Sequence, residues 1–286
     1  FEFEGKQITL IDTPGFSDFI GEVIGSVFVS ENVLSVVNAT AGVEIQTERT
    51  WSLANEMGKP ILVFVNQMDK ERANFDETLE SLRERFETKI VPIVYPIGKE
   101  SSFRGIVDLI SGKAYLYEDG KVREADVPAD LKDRVEEVKM SIMEDIVSLD
   151  DVLMDKYFAE EQITPDELIS ALRKGLVERQ IVPVLAGSAE KNIGIDFLLR
   201  KVIEIGASPL DARPYKAKLD SGDEVEVSAS ETDPFVGYTF KAVVDPFVGK
   251  LSFIKVISGN LRQGDGFNNV TRGTQEKVGH LYFGKG

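Results

Sequence analysis

The sequence predicts a mixed α/β protein: a mostly parallel sheet carrying an inserted α+β subdomain, followed by a small all-β barrel domain. Three observations predict it. Strand-sized apolar runs alternate with helical patterns over 1–89 and again over 181–208, as in strands joined by crossover helices. Between 90 and 180 that alternation is interrupted. After about Asp211 the apolar period changes to two.

In chain order, Phe3 and Ile8 flank Glu4-Gly5-Lys6-Gln7, a hairpin feeding the apolar run Ile8–Ile11, which reads as a strand ending at Asp12-Thr13-Pro14-Gly15. A second strand, Val33 to Val37, ends at Asn38-Ala39-Thr40-Ala41-Gly42. The spacing of Thr47, Thr50, Trp51 and Ala54 predicts a helix running to Met57, stopped by Gly58 and Pro60. Ile61 to Val65 is the next strand, ending at Asn66-Gln67-Met68-Asp69, and Phe75, Leu79, Leu82 and Phe86 carry an amphipathic helix. In the insert, Phe103–Leu109 and Lys113–Tyr117 read as strands, with a turn at Glu118-Asp119-Gly120. Leu131, Val135, Val138 and Ile142 mark a helix there, and Thr164-Pro165-Asp166-Glu167 is a capping box with proline at the first helical position. The strand Ile181 to Leu185 ends at Ala186-Gly187-Ser188-Ala189, and the helix after it is expected to bury Ile195, Leu198, Leu199 and Val202. In the last domain Tyr238, Phe240, Ala242 and Val244 alternate with other residues, between turns at Ser221-Gly222-Asp223, Ser258-Gly259-Asn260 and Gly264-Asp265-Gly266. The opening Phe1-Glu2-Phe3-Glu4 and the close at Gly284-Lys285-Gly286 both read as cut from something longer, which leaves the barrel incomplete.

Composition narrows the function classes. The 286 residues are 42% hydrophobic and 29% charged, in the range of ordinary globular chains. There is no cysteine, which excludes disulfides and thiolate metal sites and fits a reducing cytoplasm. The apolar runs are too short to span a bilayer, so no membrane partner is expected. A net charge of −16 argues against broad nonspecific nucleic-acid binding, and no sequence-specific nucleic-acid partner is expected. Residues 118–179 hold 18 acidic against 9 basic residues and contribute −9 of that charge. The single histidine, His280, leaves no basis for a histidine metal site or a serine-type triad, and it is expected at the surface. Trp51 at helical spacing is expected in the core, and Asp150-Asp151 and Glu160-Glu161 as helix-terminal or solvated charge.

Ligands on parallel sheets bind beyond the carboxyl ends of the strands, so the polar clusters after three of them should converge on one edge. Asp12 and Gly15 could meet a magnesium ion and a terminal phosphate. The Asp69 carboxylate can accept both the ring N–H and the exocyclic amine of guanine, whereas adenine offers no matching donor pair. Asn66 can brace the adjoining loop, and the Ser188 and Ala189 N–H groups could meet the guanine oxygen. Each motif alone is a common loop. In this order, each at a strand end, they indicate guanine-nucleotide ancestry.

The combination resembles the translational GTPases, elongation factor G in particular, which have a P-loop-NTPase-type sheet. The segments Asn38–Trp51, Gly105–Leu109 with Lys113-Ala114-Tyr115, Gly187–Asn192 and Asp245–Leu251 carry the likeness over essentially the whole chain. The resemblance implies GTP or GDP and Mg2+ as cofactors, with Asp12 in the metal's outer shell and Gly15 at the γ-phosphate. Asn66, Gln67 and Asp69 would lie at the base, with Ser188 and Ala189 closing over it. It also implies a monomer that acts on the ribosome with GTP as its switch. Its acidic insert would face the stalk proteins and its β-barrel the small subunit.

Three departures bear on catalysis. No G-x-x-x-x-G-K-[ST] occurs in these 286 residues, so the expected backbone nest and lysine for the phosphates are not found in them. Phe16 occupies the position of the family's histidine, which orients the attacking water, and no other catalytic residue is assigned. Gln67 stands where the family has lysine. The expectation is a chain unable by itself to hydrolyse GTP, cut from a GTPase or from a non-hydrolysing ribosome-binding or regulatory paralogue.

Overall fold

A four-stranded, all-parallel sheet organises the first part of the protein. Its strands are β3 (Val33–Asn38), β4 (Ile61–Asn66), β10 (Ile181–Ala186) and β5 (Lys89–Pro92), and they lie side by side in that order. The computed structural model describes residues 1–219 and 221–284, so Asp220, Lys285 and Gly286, the last two at the expected C-terminal break, lie outside the described residues. Contacts divide the chain into two units, Phe1–Ala207 and Ser208–Gly286.

β4 and β10 are buried along almost their whole length, which is why they read as continuous apolar runs rather than alternating ones. Helices α1 (Ile20–Val29), α2 (Ile45–Glu56), α3 (Phe75–Arg85) and α7 (Ile195–Ile205) belong to this layer. Trp51 of α2 is 4% exposed and stacks on Phe86 at 3.7 Å between ring centres, the core position its spacing predicts. Helix α3 starts where Asn74 accepts a hydrogen bond from the Glu77 N–H, an N-cap. The sequence patterns above did not resolve α1 or β5. In α1 the spacing of buried Val23 and Val27 was the available signal.

The N-terminal hairpin forms as expected: β1 (Glu2–Phe3) pairs with β2 (Lys6–Gln7), and Glu4 and Gly5 take φ of 46° and 74° at the turn. The strand expected over Ile8–Ile11 does not form. Ile8 exchanges backbone hydrogen bonds with Phe1, no described strand continues the pairing, and Leu10 stays 70% exposed. Apolarity alone does not make a strand, because the backbone N–H and C=O groups need a neighbour to pair with.

Residues 94–125 build an antiparallel sheet from β6 (Val94–Ile97), β7 (Gly105–Asp108), β8 (Lys113–Glu118) and β9 (Lys121–Ala125), paired in chain order. Asp119 and Gly120, at φ 50° and 73°, make the two-residue turn between β8 and β9. Helices α4 (Lys132–Val147), α5 (Asp151–Phe158) and α6 (Pro165–Val177) follow. Asp150 caps α5 by accepting from the Val152 and Leu153 N–H groups, and Thr164 and Glu167 form the predicted capping box of α6. The buried apolar side chains of this region and of the parallel sheet form one continuous cluster.

Helix α7 buries Leu198 of its expected face and packs Ile195 and Val202 partly buried against the core, leaves Leu199 half-buried, and adds Phe197, Lys201 and Ile205 to the buried set. Phe197 packs against Tyr115 of β8, with ring centres 5.6 Å apart, so the antiparallel sheet widens the buried face.

The second unit is all β. It holds three antiparallel pairs: β11 (Tyr215–Lys218) with β12 (Glu224–Val227), β13 (Val236–Asp245) with β14 (Gly249–Ser258), and β15 (Gly266–Asn269) with β16 (Thr274–Lys277). Among the described residues they stand as three two-stranded sheets. His280 is exposed, as expected. Among the described residues no helix is long and apolar enough to cross a membrane.

Candidate functional site

The parallel register decides which loops meet. Asn38 lies opposite Asn66 at the ends of β3 and β4, and Ala186 of β10 lies opposite Val65. The loops after β4 and β10 therefore leave the same edge side by side, and hydrogen bonds join them. The Ala189 N–H donates to Asn66 Oδ1 at 2.9 Å, and the Met68 N–H to the Gly187 carbonyl at 3.2 Å. Asn66 thus braces the Ser188-Ala189 loop, the part its position suggested.

That loop is itself pinned. Ser188 is 0% exposed and exchanges backbone hydrogen bonds with Ile193 at 3.0 and 2.9 Å, while its Oγ accepts from the Lys191 N–H at 3.2 Å. Gly187 is required by space, because a Cβ there would lie 2.4 Å from the Ile193 carbonyl oxygen and 2.6 Å from the Phe64 ring. Ala189 remains exposed, as does Gln67, which projects from a left-handed backbone at φ 65°.

Asp69 is the most informative residue. Its side chain is only 4% exposed, and its Oδ1 is a buried acceptor with no hydrogen-bond partner. Buried acceptors are rarely left so, since an unmet one costs about 1–3 kcal/mol, and such a vacancy suits a donor brought by a ligand. Burial alone raises the Asp69 carboxyl, but the Ser188 hydroxyl, its own backbone amide and the Lys70 and Lys191 ammonium groups outweigh it and hold it below the ordinary range. It is an anion with one oxygen, Oδ1, left to accept from a ligand.

Sequence reasoning missed Lys70. Its Nζ lies 2.6 Å from Glu190 and 3.7 Å from Asp69, tying the two loops together across the site. The signal was present, as opposite charges directly follow the two motifs. The same pair lifts the Lys70 ammonium above its ordinary value through the Glu190 hydrogen bond and charge.

Asp12, Gly15 and Phe16 are placed differently. Because the strand before them does not form, Asp12 stands exposed on a loop rather than at a strand end of the sheet. Among the described residues no hydrogen bond or ion pair joins it to the Asn66 cluster. The Gly15 carbonyl accepts from Gln46 Nε2 at 3.3 Å, which ties this loop to the start of α2. Phe16 is 77% exposed. Among the described residues no group of three or more His, Cys, Asp or Glu side chains could hold a metal ion.

Comparison with known proteins places this geometry. Residues 1–208, spanning the first unit, match the family model described as the elongation factor Tu GTP binding domain. The chain is 56% identical over 281 residues to an elongation factor G-like protein of Thermotoga maritima, covering 98% of the chain and 41% of that protein. It is 42% identical over 278 residues to elongation factor G of Mycoplasma pneumoniae, covering 96% and 40%. A crystal structure of a Thermus thermophilus protein superposes with a TM-score of 0.83 at 33% identity, covering 98% of this chain and 39% of that one. The chain thus spans about two fifths of the length of the relatives it matches. A guanine-nucleotide domain family matched over most of the chain, an unmet carboxylate between two loops braced by an asparagine, and relatives of this one kind lead to one conclusion: the chain belongs to the translational GTPase family and is elongation-factor-G-like.

Proposed function

We propose that this chain is the guanine-reading portion, with an acidic insert and β domain, of an elongation-factor-G-type protein that acts on the ribosome with GTP as its conformational switch. One observation carries the reading: the unpartnered, charged Asp69 Oδ1 beneath a loop held by the Asn66–Ala189 hydrogen bond. Guanine can supply the donor that Oδ1 lacks, with its second donor beside it. Asn66, Gln67 and Asp69 bind the base edge and face, with Ser188 and Ala189 as the wall over it. Mg2+ arrives with the phosphates and has Asp12 in its outer shell, while Gly15 meets the γ-phosphate. The insert faces stalk proteins, the β domain faces the small subunit, and the protein is a cytoplasmic monomer.

Phe16 supports a second reading, a ribosome-binding or regulatory paralogue that holds guanine nucleotide without turning it over. Its ring can neither donate nor accept a hydrogen bond to a water, and it is 77% exposed. In both readings this chain alone does not hydrolyse GTP. Titrating the full-length gene product with GTP, with and without ribosomes, tests both. A product inert to GTP in both conditions excludes the enzyme, and a GTPase rate for the 286-residue chain that Asp69→Asn abolishes excludes the claim made for this chain.

A further inference from the structure

Tyr117 of β8 lies at the junction between the antiparallel sheet and the candidate site. Its hydroxyl donates to Asp196 Oδ1 at 2.6 Å, in the first turn of α7. That turn directly follows the loop from Gly187 to Gly194, and Gly194 is the residue before the helix, at φ 79°. From there the chain and three hydrogen bonds lead to the site. Gly194 follows Ile193, Ile193 exchanges two backbone bonds with Ser188, and the next residue, Ala189, donates to Asn66. Two further contacts clamp α7 to the same sheet. Phe197 packs on Tyr115, and buried Lys201 lies 3.9 Å from Asp108 while its Nζ sits 4.9 Å over the Phe197 ring.

Taking Ser188 and Ala189 as the wall over the base, as proposed above, we infer that Tyr117 is a positioning residue for that wall. The inserted sheet, through the Tyr117–Asp196 hydrogen bond, sets the seat of the loop that closes on the nucleotide. Helix α7 begins in a glycine with no side-chain cap of its own. The Tyr117 proton is held firmly there, since burial and the Asp196 carboxylate together push the phenol well above its ordinary range. Whatever displaces the inserted sheet therefore alters the grip on the base.

The test needs no nucleotide. In Tyr117→Phe only the hydroxyl is lost, and hydrogen exchange of the Ser188, Ala189 and Lys191 amides in the nucleotide-free chain is expected to rise about tenfold, the size of one charge-assisted hydrogen bond. Tyr95→Phe is the matched control. It removes a hydroxyl that donates to Asp76 at 3.0 Å, in the first turn of α3, which meets the site on the Asn66 side through Asn74 and Ala39, and should raise the exchange of those amides less than Tyr117→Phe does. Asp196→Asn combined with Tyr117→Phe should add little to either single change. In the full-length product, GDP release should quicken by the same factor with guanine preference over adenine unchanged, because Asp69 is untouched. Wild-type exchange in Tyr117→Phe, or an equal rise in Tyr95→Phe, overturns the inference. A rise in exchange without faster GDP release upholds the coupling and overturns the reading of the loop as the base's wall.

Discussion

Replacing Asp69 by asparagine isolates the chemistry of base reading with almost no change in volume. In the wild type, Oδ1 is buried without a partner, while the other side of the carboxylate is flanked by Ser188 and Lys70. A bound guanine brings a ring N–H and an exocyclic amine, each donating to a charged acceptor, at about 1.5–3 kcal/mol per bond. Asparagine keeps one acceptor and replaces the other with an NH2 group, which would face guanine's own amine, donor against donor. One bond is lost and the second weakened, so guanine nucleotide should bind roughly 3–5 kcal/mol more weakly, on the order of 10² to 10³·⁵-fold in Kd. Xanthine carries a carbonyl where guanine carries the amine, so the asparagine NH2 finds an acceptor and the preference should invert. Equilibrium titration of the full-length product with GDP and XDP reads both arms, and melting curves serve as the control. No partner of Oδ1 is removed, so Tm should move by less than about 4 °C. GDP and XDP affinities both within twofold of wild type, in a folded variant, would refute the assignment of Asp69 to the base.

The remaining predictions address catalysis, packing and pH. Phe16→His in the full-length product should raise ribosome-stimulated GTP hydrolysis by about 10²-fold or more if water orientation is what the wild type lacks, as phosphate release would record. Gly187→Ala forces a Cβ to within 2.4 Å of the Ile193 carbonyl oxygen and should cost about 1–3 kcal/mol in urea unfolding while loosening the Ser188-Ala189 loop. The Glu167 carboxyl is held down to about 2 from an ordinary 4.5, first by Lys156 and then by the Thr164 backbone and hydroxyl. A carboxyl depressed on folding adds stability above its unfolded value and loses it as pH falls through the folded one, so protection of the α6 N-terminus should fade between about pH 4.5 and pH 2. Lys156→Met should move that loss to higher pH, and a Glu167 titration by NMR that stays at its ordinary value in the wild type would contradict the ion pair.

Much of this protein could be read from local pattern. β3, β4 and β10 appear as apolar runs because both faces of a covered parallel strand are buried, and Trp51 and the capping box of α6 show themselves through spacing of three and four residues. That Asn66, Asp69, Ser188 and Ala189 would lie together was legible because a strand end on a parallel sheet is where backbone donors and short polar side chains are left over. Local pattern could not say which strands would find neighbours. Ile8–Ile11 has the composition of a strand, yet pairing is a property of two segments, and the structure leaves Asp12 on an exposed loop. Nor could periodicity add Lys201 to the buried face of α7, since its partner Asp108 lies in the antiparallel sheet, some ninety positions earlier. Sequence by itself therefore determined the chemistry available at each strand end, because that depends on side chains and local backbone. Only the tertiary structure decided which of those ends meet, that Asp69 keeps an unmet oxygen there, and that Tyr117 bonds the helix following their loop, because register and packing join segments with no local signal for one another.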